Sequence, residues 1–179
     1  MLLYEYQHNI HENRLNPNIS TPLIACHNKS WSPPSRDYLK LNVDAHLSND
    51  GHWGLGLVFW REDGRCVGAA MKVCKGGDDV IWAETMGLQA TLDLVRELQL
   101  NRVIIEMDAA TVVRVVQSKV YPRGHWGQIA RRCTRVFSLN EHLSINWVAR
   151  SGITAAHSLA HWATLEPNKS CTANFPPVF

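Results

Sequence analysis

Leu39, Leu41 and Val43 alternate with Lys40, Asn42 and Asp44. That period of two predicts a half-buried strand. Gly54 to Arg61 and Arg65 to Val73 read as two further strands, and Glu62-Asp63-Gly64 between them has the chemistry of a tight hairpin turn. The period lengthens over residues 80–98, which predicts a long helix capped by Asp78 or Asp79. Val103, Ile105 and Met107 alternate with Ile104, Glu106 and Asp108 in a fourth strand. Helices are expected at about 110–118 and 125–138, a fifth strand at 143–148, and a last helix from about Ile153 to Leu165. The order βββ-α-β-α-α-β-α predicts an α/β fold, a mixed sheet with helices on its faces.

The flanks change character. Residues 1–38 lack periodicity and are rich in Asn, His, Ser and Pro, and Trp31-Ser32-Pro33-Pro34-Ser35 is a breaker cluster. They read as a tail and linker, 39–165 as one domain, and 166–179 as a second tail. With 179 residues, 45% of them hydrophobic and 19% charged, the chain has room for a substantial core. Cys26, Cys66, Cys74, Cys133 and Cys171 are scattered without zinc spacing, as expected of reduced thiols. The first residues lack the apolar segment of a signal peptide, and no run approaches the length of a membrane span. An intracellular protein, cytoplasmic or nuclear and monomeric by default, is expected.

Three acids carry the candidate chemistry. Asp44 is read as ending the first strand and Asp108 as ending the fourth, and ligands of open α/β sheets bind at such carboxyl ends. Taken singly, either could be a turn or helix cap. Glu84 falls in register with Leu88, Leu92 and Val95, on the helix face toward the sheet. A carboxylate on an apolar stripe is costly unless it is paired or binds metal. The alternative is a first-turn acid favoured by the helix dipole and reached by water. Together the three suit Mg²⁺ or Mn²⁺, which take carboxylate oxygens, water and substrate phosphates. Two such ions roughly 3.5–4 Å apart can act on a phosphodiester.

Lys40-Leu-Asn-Val-Asp44, the Ala83-Glu84 pair and Glu106-Met107-Asp108 resemble the three acidic motifs of ribonuclease H type 1. The variety most similar is the plant ribonuclease-H-like domain associated with non-long-terminal-repeat retrotransposon reverse transcriptases, and the Trp31-Ser-Pro-Pro lead-in resembles that group too. The resemblance implies a ribonuclease H-like fold, five strands in the order 3-2-1-4-5 with helices on both faces. Asp44 and Asp108 would then be neighbours, with Glu84 reaching in. It also implies Asp44, Glu84 and Asp108 as metal ligands, and a fourth acid in the last helix. Here that position holds His157, with Ile153 where the family pattern has Asn, while Arg150 matches the pattern's Arg and would assist near the leaving group. Imidazole is a poorer Mg²⁺ ligand than carboxylate, so the departure bears on activity and not on fold.

His157 and His161 stand four apart, a spacing that can pair imidazoles on one helix face, but the sequence offers no third ligand and surface histidines are the plainer reading. Gly54-Leu55-Gly56 lacks the third glycine of a dinucleotide fingerprint; glycines in a strand suit close approach of another backbone.

Charge adds an independent observation. From Ala109 to Asn140 there is no Asp or Glu, while Arg114, Lys119, Arg123, Arg131, Arg132 and Arg135 fall there with Tyr121 and Trp126 among them. A one-signed segment of this kind suits a polyanion, though it can also be a solvated helix face. The expected function is therefore binding of an RNA–DNA hybrid and metal-dependent hydrolysis of its RNA strand, with Asn49 a candidate for reading the 2′-hydroxyls. The rivals are a catalytically feeble binding module and a retrotransposon remnant without a retained role.

Overall fold

The computed structural model describes residues 31–77, 79–166 and 170–172. Strands β1 (Leu39–Leu47), β2 (His52–Trp60) and β3 (Cys66–Lys75) form an antiparallel meander. β4 (Val103–Met107) pairs parallel with β1, and β5 (Leu143–Trp147) pairs parallel with β4. These five strands have the expected order 3-2-1-4-5. A short β6 (Ser170–Thr172), from the segment read as a tail, adds to the free edge of β3. The helices are α1 (Val80–Glu97), α2 (Ala110–Ser118), α3 (His125–Leu139) and α4 (Thr154–Ala163). A 3₁₀ turn at Arg150–Gly152 precedes α4.

The alternation along β1 divides the molecule. Leu39, Leu41, Val43 and Ala45 face the larger core, where they meet Leu88, Leu92 and Val95 of α1 and Ile129 and Cys133 of α3. The other face carries Lys40, Asn42, Asp44 and His46, and α4 lies over that side. A smaller cluster of Val58, Trp60, Val148, Ile153 and Ala156 fills it. β1 is therefore buried on both faces over Leu39–Ala45, not half-buried as its period of two predicts, because α4 covers the polar face as well.

Two glycines set how closely α4 sits. Gly56 and Gly54 pair with Asp44 and His46 across the β1–β2 ladder. A Cβ on Gly56 would stand 2.2 Å from the Ala156 carbonyl oxygen, and one on Gly54 2.0 Å from that of Ala160. The α4 backbone therefore rests directly on β2, the close approach expected of these glycines. Gly56→Ala must push the helix away. It is expected to lower the unfolding midpoint, by the roughly 1–3 kcal/mol typical of overpacking or more. An unchanged midpoint in denaturant unfolding would contradict this contact.

Three buried polar side chains on the α4 side, Lys40, Asn42 and Trp60, are paired. The Lys40 ammonium lies 2.8 Å from Glu106, Asn42 Nδ2 donates to Glu106 at 3.1 Å, and Trp60 Nε1 donates to Asn42 at 2.7 Å. A buried cation is tolerable only with such partners. Lys40 also donates to the Ser32 carbonyl, and the Trp31 ring packs edge-on against Trp60 with centroids 5.0 Å apart. The last residues of the segment read as a linker are thus fastened to the sheet. Residues 1–30 of that segment lie outside the described residues, as does Asp78. Asp79 caps α1 by accepting from the Ile81 and Trp82 N–H groups. Among the described residues no helix is long and apolar enough to cross a membrane.

Candidate metal centre

The parallel ladder between β1 and β4 ends at Asn42 and Glu106. β1 itself continues to Leu47, held by β2. Asp44 therefore does not end its strand. It marks the place where β1 loses its β4 neighbour, because β4 stops at Met107. Asp108 follows directly and leans toward the opening this leaves. Trp147 Nε1 donates to the Asp108 backbone carbonyl at 3.1 Å and helps fix that bend.

Glu84 enters from α1. Asp79 starts the helix, and Ala83, Glu84, Leu88, Leu92 and Val95 share its buried side. At 5% exposure Glu84 is not a first-turn acid reached by water. One carboxylate oxygen from each of Asp44, Glu84 and Asp108 lies within 4.8 Å of the other two.

Three acids this close and this dry cannot all stay ionised without a cation. Burial pushes the Glu84 carboxyl up to about 9, Asp44 and Asp108 add to the push, and Arg150 and the Ala45 backbone N–H oppose it. Asp44, fully buried, is also raised, by burial first, with its hydrogen bond to His157 pulling the other way. Asp44 Oδ1 and Glu84 Oε2 are buried with no hydrogen-bond partner in the protein. Buried orphan acceptors need a reason. Carboxylate oxygens clustered at one sheet edge with two lone oxygens unused fit a hard divalent cation.

Two further side chains complete the centre. Arg150 Nε donates to Asp108 Oδ2 at 2.8 Å, with two thirds of the arginine side chain, 66%, in solvent. His157 Nδ1 lies 2.8 Å from Asp44 Oδ2. The structure thus brings together Asp44, Glu84, Asp108, Arg150 and His157. One neighbour escaped the sequence reading. His46, two residues past Asp44 and so on the same face of β1, packs its ring against His157 and His161. Burial lowers its pKa, and repulsion from those two neighbouring rings lowers it further. The period of two puts it on the face of Asp44, but only the packing of α4 marks it as a neighbour of the centre.

The other candidates fall elsewhere. Asn49 is exposed in the turn between β1 and β2, outside the acidic group. Arg114, Lys119, Arg123, Arg131, Arg132 and Arg135 are all exposed. Lys119, Tyr121, Arg131, Arg132 and Arg135 line one groove between the end of α2 and the side of α3. Arg114 and Arg123 are not part of that lining.

The sequence model of the reverse transcriptase-like family matches residues 42–163, a span that contains every member of the acidic centre. No curated protein sequence matches. Among solved structures, the RNase H1 of the halophilic archaeon Halobacterium salinarum aligns over 72% of this chain and 98% of its own, with TM-score 0.63 and 19% identity. The N-terminal RNase H domain of a Mycobacterium tuberculosis protein aligns over 73% and 95%, with TM-score 0.60 and 22% identity. A compost-derived RNase H1 solved in complex with an RNA/DNA hybrid aligns over 69% and 94%, with TM-score 0.60 and 16% identity. At these identities the likeness is one of fold.

Proposed function

This chain belongs to the reverse transcriptase-like family, and from that premise we propose that it binds an RNA–DNA hybrid and hydrolyses the RNA strand with Mg²⁺ or Mn²⁺ held by Asp44, Glu84 and Asp108. The observation that carries the reading is the buried acidic centre with its two orphan oxygens. The fold supports it, and one fold relative was solved with an RNA/DNA hybrid.

Each side chain has a role. Asp44, Glu84 and Asp108 present a fixed oxygen cage at the opening between β1 and β4. The chemistry a bound dication supplies there is Lewis-acid charge at the phosphodiester. His157 holds the Asp44 carboxylate in one orientation through its 2.8 Å contact. Arg150 is anchored by Asp108 through Nε, and its terminal nitrogens reach solvent, where they can take a phosphate oxygen near the departing group. The groove of Lys119, Arg131, Arg132 and Arg135 grips backbone phosphates away from the reacting bond. Recognition of the RNA strand rests on 2′-hydroxyl contacts, with Asn49 the candidate on the β1–β2 turn.

The groove makes a prediction of its own. Changing Arg131, Arg132 and Arg135 together to Gln should weaken hybrid binding for every sequence. Each lost phosphate contact should remove about 0.7–0.9 from the slope of log affinity against log salt. An unchanged slope in fluorescence-anisotropy titrations would return the segment to a solvated helix face.

One observation favours a second reading, a binding module with feeble turnover. His157 occupies the place of a fourth acid and is already tied to Asp44, leaving three carboxylates where the family pattern has four. Incubating a labelled hybrid with the protein, with and without metal, separates the two. Metal-dependent RNA fragments support the enzyme; binding without fragments supports the module.

A further inference from the structure

We propose that Trp31-Ser32-Pro33-Pro34 is a positioning strap for the metal centre, in which Trp31 seats the turn that carries Arg150 and so keeps Arg150 on Asp108. The inference rests on the nuclease reading above, which leaves this segment without a role.

The strap is stiff by its composition. A proline ring fixes φ, and the residue before a proline is pushed to extended backbone. Ser32 and Pro33 each precede a proline, so the arm that carries Trp31 is extended before it docks and loses little freedom in docking. Its fastenings run along the whole segment. Pro34 is buried, and a Cβ on Gly64 in the β2–β3 turn would lie 3.6 Å from Pro33. The Asp37 N–H donates to Glu62 of the same turn at 2.7 Å. The Lys40 ammonium donates to the Ser32 carbonyl at 2.5 Å and stands 5.6 Å from the centre of the Trp31 ring. The Trp31 indole N–H is buried without a partner, so its contacts with Trp60 and Lys40 and its packing hold the ring.

Two parts of the centre meet this ring. On one side, Trp60, Asn42, Glu106 and Lys40 form a chain of buried polar contacts. Asn42 and Glu106 are the last rung of the β1–β4 ladder, and Asp44 and Asp108 follow two residues further along. On the other side is the 3₁₀ turn Arg150–Gly152. A Cβ on Gly152 would lie 3.7 Å from the Trp31 Cβ, so the backbone of the turn lies against Trp31. Val148 and Ile153, which flank the turn, belong with Trp60 to the apolar cluster that Trp31 packs on.

The turn needs such a seat. Its own bonds are local: the Gly152 N–H donates to the Ala149 carbonyl at 2.7 Å and the Ile153 N–H to the Arg150 carbonyl at 3.0 Å, with no side-chain cap. A short 3₁₀ turn has poorer hydrogen-bond geometry than an α-helix. Arg150 meets Asp108 with most of its side chain in solvent, and an exposed ion pair contributes little by itself. The pairing is therefore set by where the turn sits, and the packing on Trp31 sets that.

The test compares the full chain with Trp31→Ala, Trp31→Phe, Arg150→Ala and the double variant Trp31→Ala/Arg150→Ala. Amide hydrogen exchange of the metal-free proteins reads the turn without any need of activity. Trp31→Ala is expected to speed exchange over residues 150–153 at least about tenfold, while α1 and α3 keep their protection. Trp31→Phe, which keeps a ring against Trp60 and removes the orphan N–H, is expected to restore slow exchange. In hybrid cleavage Trp31→Ala should lower kcat about tenfold or more with KM little changed, since misplacing a group by an ångström can cost roughly 100-fold. In the Arg150→Ala background the same substitution should lose nothing further, because residues acting as one unit are not additive. Where Trp31→Ala does not fold, Trp31→Leu, with part of the apolar area kept, gives the same readings. Unchanged exchange over 150–153, or exchange raised equally everywhere, would overturn the strap. So would a kcat loss in the Arg150→Ala background as large as in wild type. A wild type that cleaves no hybrid would end the nuclease reading, and the exchange would still decide whether Trp31 holds the Arg150 turn.

Discussion

Glu84→Gln is expected to end metal-dependent hybrid cleavage while making the metal-free protein more stable at neutral and alkaline pH. The two effects have one cause. An unfolded glutamate ionises near 4.5, whereas burial beside Asp44 and Asp108 holds the folded Glu84 carboxyl up to about 9. Between those values the folded chain keeps a proton that the unfolded chain gives up. Stability therefore falls as pH rises across the window, by about 1.4 kcal/mol per pH unit. The carboxyl's contribution is intact below the unfolded value and gone above the folded one. By about pH 7.5 the cost is on the order of 4 kcal/mol. Glutamine has no proton to lose and can donate its amide hydrogens to the neighbouring carboxylates. Denaturant unfolding of wild type and variant without metal should diverge from about pH 5 upward. Parallel curves would show that Glu84 is ionised in the folded protein. Metal must displace the same proton, so wild-type Mg²⁺ affinity should rise with pH over that window.

His157→Asp is expected to raise Mg²⁺ affinity at least about tenfold, the scale of changes around a metal's ligands. The His157 ring touches Asp44 at 2.8 Å, so a carboxylate there stands beside the cage and adds the charge that a hard cation prefers. The same change should cost stability without metal, because it removes a hydrogen bond to a buried carboxylate and sets a like charge against it. The signature is thus an unfolding midpoint that drops in the apo variant and recovers with Mg²⁺. Cleavage should shift with affinity: wild type should favour Mn²⁺, which tolerates nitrogen better, and the variant should lose that preference. A variant with unchanged Mg²⁺ affinity would place His157 outside the reach of the ion, as a residue that only steadies Asp44.

The main lines of fold and centre were legible because they rest on local patterns. Alternation at Leu39–Asp44 and Val103–Asp108, and the stripe of Glu84, Leu88 and Leu92, give strands, a helix and three acids at their inner ends. The order of strands came from family resemblance, since periodicity does not say which strands are neighbours. The placement of Asp44 was misread because its strand runs on to Leu47; the opening beside it depends on where β4 stops, which no local pattern around Asp44 records. Trp31 and Ser32 looked like a linker because Pro33 and Pro34 break any period, yet a single ring against Trp60 and one carbonyl to Lys40 are enough to hold them. Ser170–Thr172 is too short for a period to show, and its pairing to β3 is a purely long-range contact. His46 was within reach, two residues from a singled-out aspartate. It passed unnoticed because one histidine in a strand carries no signal until the helix across the sheet is in place.

Metal-dependent catalysis is read most directly from cleavage of an end-labelled RNA–DNA hybrid by wild type and by Asp108→Asn, each with Mg²⁺, with Mn²⁺ and with chelator. Asp108 is the acid nearest solvent, at 12% side-chain exposure, and it already pairs with Arg150, so the isosteric change leaves the core intact. Metal held by the three acids predicts cleavage of the RNA strand alone, by wild type alone, and only with metal. Cleavage by Asp108→Asn at near the wild-type rate, or cleavage undiminished by chelator, would contradict it.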